Sequence, residues 1–286
     1  MHSFYSDADK FKSSRWTSST PKDSPTNGKS TGRFSFSNIA VMEDWSSGGL
    51  ELQTQYSNTP SLKSNFFRGA SLMKLYTFFR SSASYRVRIA LNLKGLSYEQ
   101  APIHLRRGGG EHLAAAYKAI NPQALVPALE DNGRILTQSL AIIEYLEEKY
   151  PDPRLLPSAP ADKALVRSMA MIIACEVHPI QNLRVLNHVK NEYRQSDEQV
   201  SRWAQHWIDF GLLALEQTIA SQPKRGTFCY GDTPTVADIC LVPQLGNARR
   251  YGCDLSKYPV ILAIEKNCIA LPAFSNAAPE KQPDAE

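Results

Sequence analysis

Long apolar runs are missing from this 286-residue chain, and with them any helical membrane span. Cysteine is sparse and unpatterned: Cys175, Cys229, Cys240, Cys253 and Cys268 are odd in number and form neither a C-x-x-C pair nor a His-paired set. No disulfide framework and no zinc site is expected from that spacing, and a reducing, cytoplasmic setting fits it. Neither sign of charge dominates: 32 Lys/Arg against 28 Asp/Glu leave +4. The excess is spread evenly between residues 1–72 and the remainder. A nucleic-acid partner would need a concentrated basic stripe, so none is expected, and nothing in the pattern suggests a membrane partner. The glycines of Arg106-Arg107-Gly108-Gly109-Gly110 lack the G-x-x-x-x-G-K-[ST] and G-x-G-x-x-G contexts, which argues against a phosphate loop and leaves a flexible connector.

What is present is an ordinary composition, 42% hydrophobic and 21% charged, in a length that suits two domains. Residues 1–72, rich in Ser, Thr, Asn and Gly, show no sustained period and are expected to be a disordered extension. They lack a secretory core, and their acidic residues argue against a transit peptide. Met73 directly precedes the first strand, so the folded protein is expected to begin there. Residues 73–154 read as βαβαββα, with strands over 98–105, 126–129 and 134–137 and a hairpin turn at Asp131-Asn132-Gly133. The proline-rich residues 151–161 form a linker. Helical spacing then recurs over 162–177, 179–192, 197–221, 236–248 and 260–267, and Thr235 to Asp238 fits a capping box. The fold class is therefore an α/β thioredoxin-like domain followed by an all-α domain over 160–280.

The most informative stretch is 74–93, KLYTFFRSSASYRVRIALNL. Its period changes from two to about 3.6 at Arg80-Ser81-Ser82-Ala83-Ser84, and Gly95 suits the end of the helix that follows. From the residues alone, Ser81 and Ser82 are helix caps. The same placement sets Arg80 and several hydroxyls at the positive end of a helix dipole, where an incipient anion such as a thiolate is stabilised.

The wider string FFRSSASYRVRIALNLKG resembles the first βα unit of the zeta-class glutathione transferases, whose signature is close to S-S-C-S-W-R-V-R-I-A-L. With V-P, Q-S-L-A-I-I-E-Y-L, P-I-Q-N-L and D-I-C-L-V-P-Q, the resemblance runs from Met73 to about Pro283. Ala83 stands where the family commonly has Cys, and Tyr85 where it has Trp. Hydroxyl chemistry survives that change, while any role of the Cys is removed. The resemblance implies glutathione as cofactor, a homodimer, and cis–trans isomerisation of maleylacetoacetate to fumarylacetoacetate in tyrosine and phenylalanine breakdown. The reaction proceeds by reversible thiolate addition to a small diketo-acid. Alternatives are maleylpyruvate isomerisation in gentisate degradation and a non-catalytic interaction module of the same fold. A free thiol sits near pKa 8.5, and lowering it by roughly two units takes about 2.7 kcal/mol.

By the same resemblance, Arg80, Ser81 and Ser82 serve the thiol. Val126 and Pro127, with a cis bond between them, turn the Val126 N–H and C=O toward an extended peptide. Gln138 and Ser139 hold the γ-glutamyl carboxylate, and the residues themselves expect Ser139 to be the N-cap of a helix. Gln181 and Asn182 reach glutathione from the second domain. Pro179 is expected to break the helix at His178 and start the next. His178 reads either as a capping or core histidine or as a donor to a substrate carboxylate. Arg250 reads either as a solvated helix-end cation or, by resemblance, as a pocket arginine for that carboxylate. No metal is required.

Overall fold

A computed structural model of the chain describes residues 73–286 except residue 224, so the expectations for residues 1–72 lie outside the described residues. The element order begins with β1 (Met73–Thr77), α1 (Ser82–Leu93), β2 (Tyr98–Pro102), α2 (Ala115–Ile120), β3 (Ala128–Asp131), β4 (Arg134–Thr137) and α3 (Ser139–Lys149). These strands form one sheet in the order β2-β1-β3-β4, with β1 parallel to β2 and β3 antiparallel to both its neighbours. Strand alternation divides β1 between two cores. Met73 and Leu75 join the main core with Val87 and Leu91 of α1, while Tyr76 packs with Phe78, Tyr117 and Val126 on the other face.

The helical part comprises α4 (Pro160–Met171), a π-helical turn (Ile172–Val177), α5 (Leu183–Glu192), α6 (Asp197–Ala220), α7 (Val236–Arg250), α8 (Pro259–Ile269) and the short α9 (Pro272–Ser275). Nearly every side chain of α7 is buried, because it lies between α1, α4 and α8. The expected capping box forms at its start: Asp238 accepts from the Thr235 N–H and hydroxyl, both at 2.8 Å. Apolar residues of the sheet and of the helical part belong to one continuous core. Gly211 of α6 permits the close approach that fixes the π-helical turn, since a Cβ there would stand 2.0 Å from Val177 Cγ2.

The linker is tied rather than loose. Lys94 is buried at the end of α1, and its Nζ donates to Glu147 Oε2 (2.8 Å), Tyr150 O (2.6 Å) and Pro153 O (3.0 Å). Glu147 in turn accepts the Leu155 and Leu156 N–H groups.

Several boundaries differ from expectation. β2 ends at Pro102, not 105, where the Ile103 N–H turns to Thr77 O at 2.7 Å. β3 starts at Ala128, so Val126 and Pro127 precede the ladder. Pro179 does not begin a helix; α5 starts at Leu183 because Asn182 Oδ1 caps it by accepting from the Arg184 N–H at 3.2 Å. No helix among the described residues is long and apolar enough to cross a membrane.

Candidate active site

The turn between β1 and α1 opens into a cavity of about 310 Å³. Its other walls are the 105–113 loop, residues 123–126, the segment from His178 to Asn187, and the end of α7 at Asn247, Arg250 and Tyr251. A second cavity of about 170 Å³ adjoins it, sharing Val126, His178 and Asn182, and is lined by Ala83, Arg86, Pro127, Gln138 and Ser139. Every site residue anticipated from sequence lines one or both cavities.

The two serines of the turn are placed differently. Ser81 is the N-cap of α1, its Oγ accepting from the Ser84 N–H at 3.2 Å, which leaves the hydroxyl proton free. Ser82 is buried and committed to α7: its Oγ accepts from Asn247 Nδ2 at 2.7 Å and donates to Pro243 O at 3.4 Å. Of the two serines, only Ser81 therefore keeps its hydroxyl proton for a group in the larger cavity.

Beside the turn, the Val126–Pro127 bond is cis. Among the described residues neither the N–H nor the C=O of Val126 has a backbone partner, the condition an extended ligand strand would meet. The N-cap of α3 is Gln138, not Ser139 as expected; Ser139 is the first helical residue. Gln138 holds a left-handed φ of 69°, strained for a non-glycine residue, and donates from Nε2 to Gln123 Oε1 at 2.7 Å. Beneath Ser139 lies Arg86, 2% exposed, whose Nη1 donates to Ser139 Oγ at 3.4 Å while Nε and Nη2 have no partner. Burial lowers the pKa of Arg86. Sequence reasoning missed this residue, because an arginine inside an amphipathic helix ordinarily reads as solvated.

The larger cavity is cationic. Arg80, Arg106, Arg184 and Arg250 line it, and no Asp or Glu does among the described residues. Burial, together with the charges of Arg80 and Arg106, lowers the pKa of Arg250, so these guanidiniums crowd one volume. Such crowding suits a ligand with more than one carboxylate. The two imidazoles of the cavity are neutral: burial, then the Arg86 charge, pushes His178 down to about 3, and burial and Lys118 lower His112. His178 is thus an N–H donor and not a cation. Gln181 is buried and bound inward, Nε2 donating to Gln244 Oε1 at 2.8 Å, with its own Oε1 unpartnered.

The connector at 106–110 is more ordered than expected. His104 Nδ1 accepts the N–H groups of Arg106 (3.1 Å) and Arg107 (2.7 Å), and Glu111 Oε2 accepts that of His104 (2.7 Å). Those bonds place Arg106 in the cavity wall, which the glycines alone did not foretell.

Residues 75–154 match the family model described as glutathione S-transferase, N-terminal domain. A maleylacetoacetate isomerase of Pseudomonas aeruginosa is 50% identical over 213 residues, 74% of this chain and 98% of the relative. The chain belongs to the zeta-class glutathione S-transferase family. Among solved structures, the holo form of a bacterial zeta-class maleylpyruvate isomerase matches with a TM-score of 0.73 and 48% identity, covering 74% of this chain and all of that one. A maleylacetoacetate isomerase of Methylobacterium extorquens AM1 with bound malonate and glutathione matches with a TM-score of 0.72 and 39% identity, covering 74% of this chain and 99% of that one. In family terms, the sheet with α1, α2 and α3 is the glutathione transferase N-terminal domain, and the helices from α4 onward are its C-terminal domain.

Proposed function

We propose that the protein isomerises maleylacetoacetate to fumarylacetoacetate with glutathione as cofactor. The observation that carries the reading is a cavity lined by four arginines and, among the described residues, by no carboxylate, set against the free hydroxyl of Ser81 at the N-terminus of α1. The residues present fit the tripeptide: Val126 offers an unpaired backbone edge, and Ser139 with Arg86 forms a cationic helix N-terminus. Two of these relatives carry that activity in their names, and one of the two has malonate, a dicarboxylate, and glutathione bound.

Glutathione, when bound, would supply a sulfur nucleophile for reversible addition to the cis double bond. The chain supplies the rest. Ser81 Oγ would donate a hydrogen bond to the sulfur, its proton staying on oxygen, and with the dipole of α1 would lower the thiol pKa. Gln138 and Ser139 fix the γ-glutamyl carboxylate. Arg80, Arg106 and Arg250 bind the carboxylates of the substrate and stabilise negative charge that develops next to them. His178, held neutral by burial and the Arg86 charge, would offer an N–H to the substrate.

Maleylpyruvate is the second reading, favoured by the near-equal likeness to an isomerase of that name. The proposed working form is a cytoplasmic homodimer, as the family and five free thiols suggest. Glutathione-dependent loss of the cis-enol absorbance, measured in parallel for the two acids with the full chain, is the test. Turnover of maleylacetoacetate alone supports the first reading and turnover of maleylpyruvate alone the second. Glutathione binding without turnover of either removes both and leaves a non-catalytic module.

A further inference from the structure

The last sixteen residues return from the helical part to the active-site turn. Behind α8 the chain crosses α1, where the Ala273, Phe274 and Ala277 carbonyls accept from Asn92 Nδ2 (3.1 Å), Tyr85 Oη (3.0 Å) and Arg88 Nε (3.0 Å). Gln282 then folds the segment on itself, its Nε2 donating to Asn276 O (3.0 Å) and Ala278 O (2.7 Å) while its Oε1 accepts from Gln100 at 3.1 Å. That fold delivers Asp284 to the turn: its Oδ2 accepts the N–H of Phe79 at 3.0 Å. The carbonyl of the same residue is held from the other side, by Arg88 Nη2 at 3.0 Å. Arg88 is fully buried and also donates through Nη1 to Thr77 Oγ1 at 3.0 Å. Both polar groups of Phe79 are therefore gripped by charged side chains, one residue before Arg80 and two before Ser81.

We propose that Asp284 is a positioning residue for the active-site turn: by holding the Phe79 N–H against the pull of Arg88, it sets the direction of Ser81 Oγ and Arg80 within the cavity. Ser81 has one backbone tie into the turn, its N–H to Phe78 O at 3.0 Å, and two ties to the helix, its Oγ accepting the Ser84 N–H (3.2 Å) and its C=O the Tyr85 N–H (2.8 Å). Charge-assisted bonds are the stronger class, and a misplacement on the order of 1 Å can cost about 100-fold in rate. A role in thiol activation rests on the proposed isomerase reading, while the grip on Phe79 does not.

The experiment compares Asp284→Ala and Asp284→Asn with the wild-type full chain. Asn keeps an acceptor for the Phe79 N–H; Ala does not. In D284A the expected results are a fall of about tenfold or more in kcat with the KM for the acid little changed, an acid limb of the pH profile moved upward, and faster hydrogen exchange at the Phe79 amide. D284N is expected to recover most of each loss. Melting temperatures are recorded alongside, and D284N keeps the question open to test if D284A does not fold. A fall in melting temperature with kcat, pH profile and Phe79 exchange unmoved, or D284N behaving as D284A, overturns the proposal. If the wild type turns over neither acid, the isomerase reading has failed; the positioning role is then judged on the pKa of bound glutathione and on Phe79 exchange, which need no turnover.

Discussion

Replacing Ser81 and Ser82 separately by alanine distinguishes a hydroxyl that faces a sulfur from one that ties two parts of the fold together. Ser81 Oγ accepts one bond and keeps its proton, whereas Ser82 Oγ sits between Asn247 Nδ2 and Pro243 O. A hydrogen bond to a charged group contributes about 1.5–3 kcal/mol, and one pKa unit corresponds to about 1.4 kcal/mol. S81A is therefore expected to raise the pKa of bound glutathione by about 1–2 units. The helix dipole, about 0.3–1 kcal/mol, keeps a smaller shift in place. From a pKa near 6.5, such a rise lowers the thiolate fraction at pH 7 by about 3- to 25-fold, a loss that disappears once the pH exceeds the new value. S81A also removes an N-cap, for about 1 kcal/mol of stability. S82A leaves the buried Asn247 amide without its acceptor, costing about 1–3 kcal/mol and lowering the melting temperature while the thiol pKa stays put. Titration of the ultraviolet thiolate absorbance, with thermal melts in parallel, reads both quantities. A raised pKa in S82A with an unchanged one in S81A would refute the reasoning.

Arg250→Met is expected to raise the KM for the acid by about 10–100-fold with glutathione affinity unchanged, as steady-state kinetics would show; an equal loss of glutathione binding would contradict the assignment. Lys94→Ala leaves Glu147 without its buried cation and is expected to cost about 3–5 kcal/mol, seen as an earlier denaturant midpoint at constant slope. His178 has a folded pKa of about 3, below its unfolded value near 6.5, so the unfolded chain binds the extra proton between those limits. Stability should then fall as the pH drops below about 6.5, by at most about 1.4 kcal/mol per pH unit, and His178→Asn should remove that part of the acid sensitivity in pH-dependent melts.

Legibility in the sequence followed the range of the interactions involved. The β1–α1 turn, the hairpin at Asp131-Asn132-Gly133 and the box from Thr235 to Asp238 are local, and each rests on residues within a few positions of one another. The start of α5 was misread because Pro179 is a local signal, whereas the chain between α4 and α5 is shaped by a π-helical turn. That turn inserts one residue out of helical register and is set by Gly211 of α6 packing on Val177. Arg86 and Arg88 look like the polar face of a helix in the sequence, yet both are interior because distant groups receive them: Ser139 for one, Thr77, Phe79 and Ala277 for the other. The strap at 271–286 was invisible for a related reason. Its contacts to α1 are made by backbone carbonyls, which carry no residue code.

The departure at Ala83 falls in the wall of the smaller cavity. Ala83 lines the smaller cavity with Ser139 and Arg86, while Ser81, Arg80 and Arg250 line the larger one. A thiol at position 83 would thus sit at the γ-glutamyl end of the proposed tripeptide site, away from the hydroxyl assigned to the sulfur. The groups proposed to lower the thiol pKa are the Ser81 hydroxyl and the first turn of α1, and the Ser81 cap bond to the Ser84 N–H does not involve the side chain at 83. Position 83 lines the same cavity as Ser139 and Arg86, and Arg86 keeps two nitrogens without partners. On the proposed reading, the substitution is expected to bear on how tightly the peptide end is held and to leave the Ser81 hydroxyl and the first turn of α1 in place.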